Sequence, residues 1–264
     1  MIAQKHQEIE SKLIITAQDP AAILQQIARK SALLKYQLIK CGRINLRDIY
    51  LDTPDFQLKQ QRLALRLRKS NNRYYLTLKG KSKLTSWGGV ERLEIELPWS
   101  GKSYRQIIEI LKENDILIDS SQENPSTASP IDILKNPAFT IIQDRETRRL
   151  IRKVVSVHRQ RKELAELALD TVTFHLVDQT VLHTEIELEA KVRDGLDTVR
   201  ELTEYLVQKY PENLRSWPIS KLSTGKLIEQ LHQEENIQNF LNRQNYLLPL
   251  AFKRIAKKID SIRE

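Results

Sequence analysis

The sequence predicts an α+β fold built on an antiparallel sheet. Three observations carry this. Residues 47–51, 63–68, 73–79, 93–97, 148–155, 163–174 and 184–191 alternate apolar and charged side chains with the two-residue period of a strand. Patterns of helical period flank these stretches rather than alternating with each of them. Near the start, Glu8, Glu10 and Lys12 share one face of an extended segment, with Ile9 and Leu13 on the other.

The first helix is expected to open at Asp19 as N-cap with Pro20 in its first turn. Ile23, Leu24, Ile27 and Leu34 form its apolar stripe, and Cys41-Gly42 ends it. A second helix is expected over residues 104–114, and a third over 196–209, stopped by Pro211. Residues 120–130 are polar and proline-bearing and read as a surface loop. After Ser220 the pattern is helical again, with Pro249 separating two tail helices.

The chain has 264 residues, enough for one large domain or two small ones with a sizeable core. Lys and Arg number 43 against 34 Asp and Glu, a net charge of +9. Such a balance favours an anionic partner: nucleic acid, a phosphorylated metabolite or an acidic membrane surface. Cys41 is the single cysteine, which excludes an internal disulfide or a thiolate metal site and suits a reducing compartment. No apolar signal core and no membrane-spanning apolar run is present, so the expected location is the cytoplasm, without membrane contact.

The charged faces of the strands are unusual. Arg62, Arg66 and Arg68 oppose Leu63, Leu65 and Leu67, and Thr77, Lys79 and Lys81 oppose Leu76 and Leu78. Arg92, Glu94 and Glu96 oppose Leu93, Ile95 and Leu97. Glu166 and Asp170 oppose Leu167 and Leu169, and Glu185, Glu187 and Glu189 oppose Ile186 and Leu188. For any single strand the ordinary reading is a half-buried sheet with solvated charges. The set as a whole fits that reading poorly, because runs of one sign persist over two or three positions. If the sheet closes, these side chains line one lumen, which could hold a polyphosphate and divalent cations together. Oxygen ligands without His or Cys favour Mg²⁺ or Mn²⁺ over Zn²⁺.

The motifs resemble the CYTH superfamily, the triphosphate tunnel metalloenzymes. Glu8-Ile9-Glu10-Ser11-Lys12 matches an ExExK signature. D-I-Y-L-D-T-P, L-A-L-R-L-R, Y-L-T-L-K, E-R-L-E-I-E-L, D-R-E, L-A-L-D, E-I-E-L-E and S-K-L-S follow in order. The resemblance covers about residues 5 to 230. It implies a closed eight-stranded antiparallel β-barrel with a charged lumen, flanked by helices. A tunnel domain over 1–230 and a helical tail over 231–264 follow. By the same resemblance Glu8, Glu10, Lys12, Arg66, Arg68 and Lys79 form the catalytic set. Lys12, Arg66, Arg68, Lys79, Lys81, Arg145 and Lys221 bind the phosphates. Glu8, Glu10, Glu94, Glu96, Asp170, Glu185, Glu187 and Glu189 supply metal ligands. Lys81, Arg92, Arg149 and Lys153 match less tightly and are as well placed on the surface.

The implied reaction is divalent-metal-dependent hydrolysis of a triphosphate, most simply inorganic tripolyphosphate, with a small polyphosphate as partner rather than nucleic acid. Adenylate cyclase and thiamine triphosphatase chemistry are the alternatives within the superfamily. A non-catalytic polyphosphate or nucleic-acid binding module is the alternative outside it, and it has no use for carboxylates beside phosphate. The five histidines lack zinc-ligand spacing. S-T-G-K-L lacks the earlier glycine and the hydroxyl residue of a phosphate-binding loop. Trp87, Trp99 and Trp217 are scattered and read as packing residues.

Overall fold

A computed structural model describes residues 6–118, 129–157 and 162–263, leaving aside the side chains of 6–8, 82, 135 and 260–263. The strands are β1 (His6–Ile15), β2 (Ala32–Leu33), β3 (Tyr36–Asp52), β4 (Ala64–Ser70), β5 (Arg73–Leu84), β6 (Val90–Pro98), β7 (Thr140–Ser156), β8 (Glu163–His175), β9 (Thr180–Ala190) and β10 (Leu214–Ser216). The helices are α1 (Pro20–Ala28), α2 (Gln57–Gln60), α3 (Gly101–Glu113), α4 (Gly195–Lys209), α5 (Lys221–Glu234) and α6 (Pro249–Arg263).

Hydrogen bonds order the strands β10-β1-β6-β5-β4-β3-β7-β8-β9, and β9 pairs again with β1. Eight antiparallel strands therefore follow one another round a ring, the closed order expected from the sequence, with helices flanking it. Among the described residues no helix is long and apolar enough to cross a membrane. The expected loop at 120–130 lies, up to residue 128, outside the described residues.

The chain divides into two compact units. The first takes in Asn45–Lys83 and Arg92–Arg145. Its core joins Ile49, Leu51, Leu65, Leu67, Leu76, Leu78 and Ile95 of the strands to Tyr104, Ile107, Ile108 and Leu111 of α3. These strand residues are the apolar half of each alternating pattern, so helix α3 covers the apolar face. Ser100 caps α3 by accepting from the Ser103 N–H at 3.0 Å. Asp52 is buried and accepts from the N–H groups of Thr53, Leu58 and Lys59, which fixes the turn carrying α2.

The second unit takes in Ile9–Ile44, Leu84–Glu91 and the chain from Glu146 onward. One core packs Leu13, Ile15, Leu167, Leu169, Ile186 and Leu188 against Ile27 of α1 and Val199, Leu202 and Leu206 of α4. Another gathers Ile14, Val172, Phe174 and Val181 of the strands under Trp217, Leu227, Ile228, Phe252 and Ile255. S-T-G-K-L lies inside α5, as the rejection of a phosphate loop requires.

Two sequence expectations need correction. The first helix does open at Asp19, whose carboxylate accepts from the Ala22 N–H at 3.0 Å, with Pro20 following. It ends at Ala28, however, and does not reach Cys41-Gly42. Ala32–Leu33 instead pairs with Tyr36 and Gln37 in a hairpin. Leu34 sits at its tip with φ 51° and is exposed. Leu33, Tyr36 and Leu38 are buried in the core with Ile27 and Leu202, which the helical spacing of Leu34 obscured. The second correction is Arg62. It precedes β4 with φ 55° and is exposed, so it does not share the face of Arg66 and Arg68.

Candidate active site

In both units key members of the charged strand faces are themselves buried. Arg66 and Arg145 are each 2% exposed, and Asp170 and Glu185 are at 0%. A solvated sheet face would leave these side chains wet, so that reading does not survive.

In the first unit the register Asp48↔Arg68, Tyr50↔Arg66 and Arg66↔Thr77 brings one ionic network together. Arg68 makes a two-pronged contact with Asp48, Nε at 2.7 Å and Nη2 at 3.0 Å. Arg145 Nη2 donates to the same carboxylate at 2.9 Å and to the Tyr50 hydroxyl at 3.1 Å. Arg66 Nη2 reaches Thr77 and Glu96, each at 3.0 Å, and Glu94 at 3.3 Å, while Lys79 pairs with Glu94 at 2.7 Å. Burial pushes the Asp48 carboxyl up, but Arg66, Arg68 and Arg145 outweigh it and hold the group well below the usual carboxylate range. Burial likewise raises the Tyr50 phenol, and Arg145, Arg66 and Lys79 bring it down to about 7. Arg66, Arg68, Lys79 and Arg145 face Asp48, Glu94 and Glu96, so cations are in excess here.

The second unit has the opposite balance. The register Lys12↔Glu187, Ile14↔Glu185 and Asp170↔Glu185 sets β1, β8 and β9 side by side. Asp170, Glu185 and Glu187 each offer a carboxylate oxygen, all within 4.8 Å of one another. Arg149 grips Asp170 with Nε at 2.9 Å and Nη2 at 2.7 Å, and also contacts Glu187. Lys221, the first residue of α5, reaches Asp170 at 3.0 Å and Glu187 at 2.7 Å and contacts Glu185. Lys12 pairs with Glu10 at 2.9 Å and lies 3.7 Å from Glu187. Among the described residues four carboxylates thus meet three cations. Burial pushes Glu185 up, but Lys221 and a hydrogen bond from His183 bring it down to about 2. Glu187 is held well below its usual value by Lys221, Arg149 and Lys12, against the effect of burial.

The structure therefore gathers Glu10, Lys12, Asp170, Glu185, Glu187 and Lys221 in one cluster, and Arg66, Arg68, Lys79, Glu94, Glu96 and Arg145 in the other. Lys81 is exposed on β5. Glu189, in register with Glu10 and Glu166, pairs with Lys191 at 2.8 Å. The Glu8 side chain lies outside the described residues. Sequence reasoning left Arg149 undecided, and the structure places it between Asp170 and Glu187. It missed Asp48 and Tyr50, although both stand two residues apart in the quoted D-I-Y-L-D-T-P. It also set aside His183, whose Nε2 lies 2.9 Å from Glu185 Oε2. The spacing H-x-E, which puts both on one strand face, was the available signal.

A closed antiparallel strand order with a buried ionic face defines a narrow class of proteins, those that hold charge inside a sheet. Within it the chain belongs to the CYTH domain family, whose profile matches residues 6–215. Among curated proteins no sequence matches it significantly. A solved structure from Hippeastrum, named as a candidate adenylyl cyclase that reveals a dominant triphosphatase activity, is 19% identical. It covers 83% of this chain and 95% of that one with a TM-score of 0.51, which shows a shared fold. A candidate adenylate cyclase from Bacillus halodurans is 18% identical over 89% of this chain and 97% of that one, with a TM-score of 0.46. A Pyrococcus horikoshii protein is 19% identical over 84% and 99%, at 0.47.

Proposed function

We propose that the chain is a divalent-metal-dependent triphosphatase whose substrate is inorganic tripolyphosphate. The observation that carries the reading is the trio Asp170, Glu185 and Glu187, buried, oxygen-only and mutually within 4.8 Å, with cations alongside. Buried like charges repel unless positive charge stands between them. The donor set fits a hard cation, Mg²⁺ or Mn²⁺, better than a soft one. Asp170, Glu185 and Glu187 would hold it, with Glu10 of β1 contributing charge. When bound, such an ion withdraws electrons from phosphate oxygens and acidifies the attacking water.

The chain's own residues supply the rest. Lys12, Arg149 and Lys221 keep the carboxylates ionised and offer N–H donors to phosphate oxygens. Arg66, Arg68, Lys79 and Arg145 give the first unit its own surplus of fixed donors, an arrangement suited to binding phosphate charge without reorganisation. Glu94, Glu96 and Asp48 hold those donors in place until phosphate competes for them. An inorganic substrate is favoured because the apolar side chains next to the cluster, Phe174, Trp217 and Phe252, are committed to a core. A nucleobase or thiazole would need such side chains free.

The test is phosphate release from tripolyphosphate, ATP and thiamine triphosphate side by side, with Mg²⁺, with Mn²⁺ and with chelator, alongside cyclic AMP formation from ATP. Fastest release from tripolyphosphate, abolished by chelator, is expected. Full turnover in chelator refutes the metal, and cyclic AMP as the main product refutes the reaction.

A further inference from the structure

The buried face of β9 reads Glu189, Glu187, Glu185, His183, Val181, and the β8 residues opposite them are Glu166, Ala168, Asp170, Val172 and Phe174. The face therefore turns from charged to apolar between Glu185 and His183. Beyond that line it is covered by residues after the family match at 6–215: Trp217, Leu227, Ile228, Phe240, Phe252 and Ile255. His183 stands on the boundary, 1% exposed, with the Phe252 ring centroid at 5.7 Å and that of Phe174 at 6.3 Å. The backbone beside it is tied to the segment leading into α6, since Leu182 donates to Asn245 and accepts from Leu247.

The hydrogen bonding of His183 is lopsided. Glu185 is an acceptor, so the imidazole proton sits on Nε2, 2.9 Å from Glu185 Oε2. Nδ1 is buried without a hydrogen-bond partner among the described residues. An orphaned buried nitrogen is a net cost, and an apolar side chain of similar shape would avoid it. Packing alone therefore does not account for a histidine here; the Nε2 contact does.

We propose that His183 is a positioning residue for the cation-binding carboxylate Glu185, and that α6 holds it in place through Phe252. This rests on the reading that Asp170, Glu185 and Glu187 bind a divalent ion. The Nε2–H fixes one oxygen of Glu185, which aims the other at Lys221 and at the space shared with Asp170 and Glu187. The segment that follows the family-matched region thereby helps to build the cation site rather than merely trailing from it. Partners that orient ligands in this way change metal affinity by about 10–100-fold when removed.

The experiment is calorimetric titration of the substrate-free protein with Mn²⁺, with melting temperature measured on the same samples. His183→Leu should weaken Mn²⁺ binding by about tenfold or more, with some loss of thermal stability in the absence of metal because the buried Glu185 carboxylate loses a donor. His183→Gln, whose amide can donate to Glu185, should recover most of the affinity. Phe252→Leu, which keeps the core apolar but removes the ring against His183, should give a smaller loss in the same direction. Wild-type Mn²⁺ affinity in folded His183→Leu, or in Phe252→Leu should the first variant not fold, overturns the proposal. So does a His183→Gln that binds no better than His183→Leu. Absence of Mn²⁺ binding to the wild type, or undiminished binding in Asp170→Asn, overturns the underlying metal reading instead.

Discussion

Replacing Lys221 with methionine isolates the electrostatic logic of the second unit. The ammonium is 8% exposed and touches Asp170, Glu185 and Glu187 at once. After the change Arg149 still serves Asp170 and Glu187, and Lys12 still serves Glu187. Among the described residues Glu185 then keeps only its His183 hydrogen bond. Removing one partner of a buried ion pair costs about 3–5 kcal/mol. At roughly 2–4 °C per kcal/mol for a chain of this size, the melting temperature at pH 7 without metal should fall by about 6–20 °C. The pH dependence is equally specific. In the wild type Glu185 is depressed, so its contribution is complete above its unfolded value and fades only as pH falls toward about 2. In Lys221→Met, burial acts without its largest opposing charge, so Glu185 takes up a proton more readily and the variant gains relative stability on acidification. The gap between the proteins should therefore narrow from pH 7 to pH 4. Mn²⁺ should raise the variant's melting temperature more than the wild type's, because it no longer competes with an ammonium. A melting temperature within a degree or two of wild type, or a gap that ignores pH, would refute this account.

Three further outcomes are expected. Lys79→Met removes one donor that pairs with Glu94 at 2.7 Å. It should weaken tripolyphosphate binding about tenfold to a hundredfold, since a charge-assisted contact is worth roughly 1.5–3 kcal/mol, as read by inhibition or KM. One of the eight tyrosines should ionise near pH 7 in ultraviolet difference spectra, and that step should vanish in Tyr50→Phe. Because the Tyr50 value is depressed, its stabilisation should grow from pH 7 to pH 10 and be absent well below 7. Asp48, Glu185 and Glu187 all lie low in the folded protein, so the metal-free wild type should hold its stability above about pH 4.5 and lose it progressively below, followed by circular dichroism.

Period-two alternation placed the strands because it is local: Leu65, Arg66, Leu67 and Arg68 announce their two faces without knowledge of neighbours. Asp19-Pro20 announced a helix start for the same reason. The end of that helix was not legible, since the hairpin that brings Leu33, Tyr36 and Leu38 into the core is not encoded in the local pattern. At the site, alternation showed which charges share a face on one strand but not which meet across strands. Arg149 could not be told from a surface arginine until the Asp170↔Glu185 register brought Asp170 and Glu187 to it. The histidines lack zinc-ligand spacing, yet His183 contacts a carboxylate of the candidate cation site two residues on. Asp52 shows the converse: an acidic residue within a family motif that serves backbone N–H groups.

The ionic faces depend on the leucines behind them. Shifting β9 by one residue against β8 would turn Glu185 and Glu187 toward α4 and bring Ile186 and Leu188 to the charged side. Ile186 and Leu188 are 0% and 1% exposed in the core with Val199, Leu202 and Leu206. Losing each from that core forfeits about 1.5–3 kcal/mol, and each carboxylate entering it would lose Lys221 and Arg149. Buried ion pairs alone specify register weakly, because their attraction is largely cancelled by desolvation. The apolar alternation therefore sets the register, and the register sets which carboxylates meet. On the proposed metal reading, a polar substitution at Leu188, in the core behind the ionic face, should weaken Mn²⁺ binding as one at Glu187 would, through loss of alignment instead of loss of a proposed ligand.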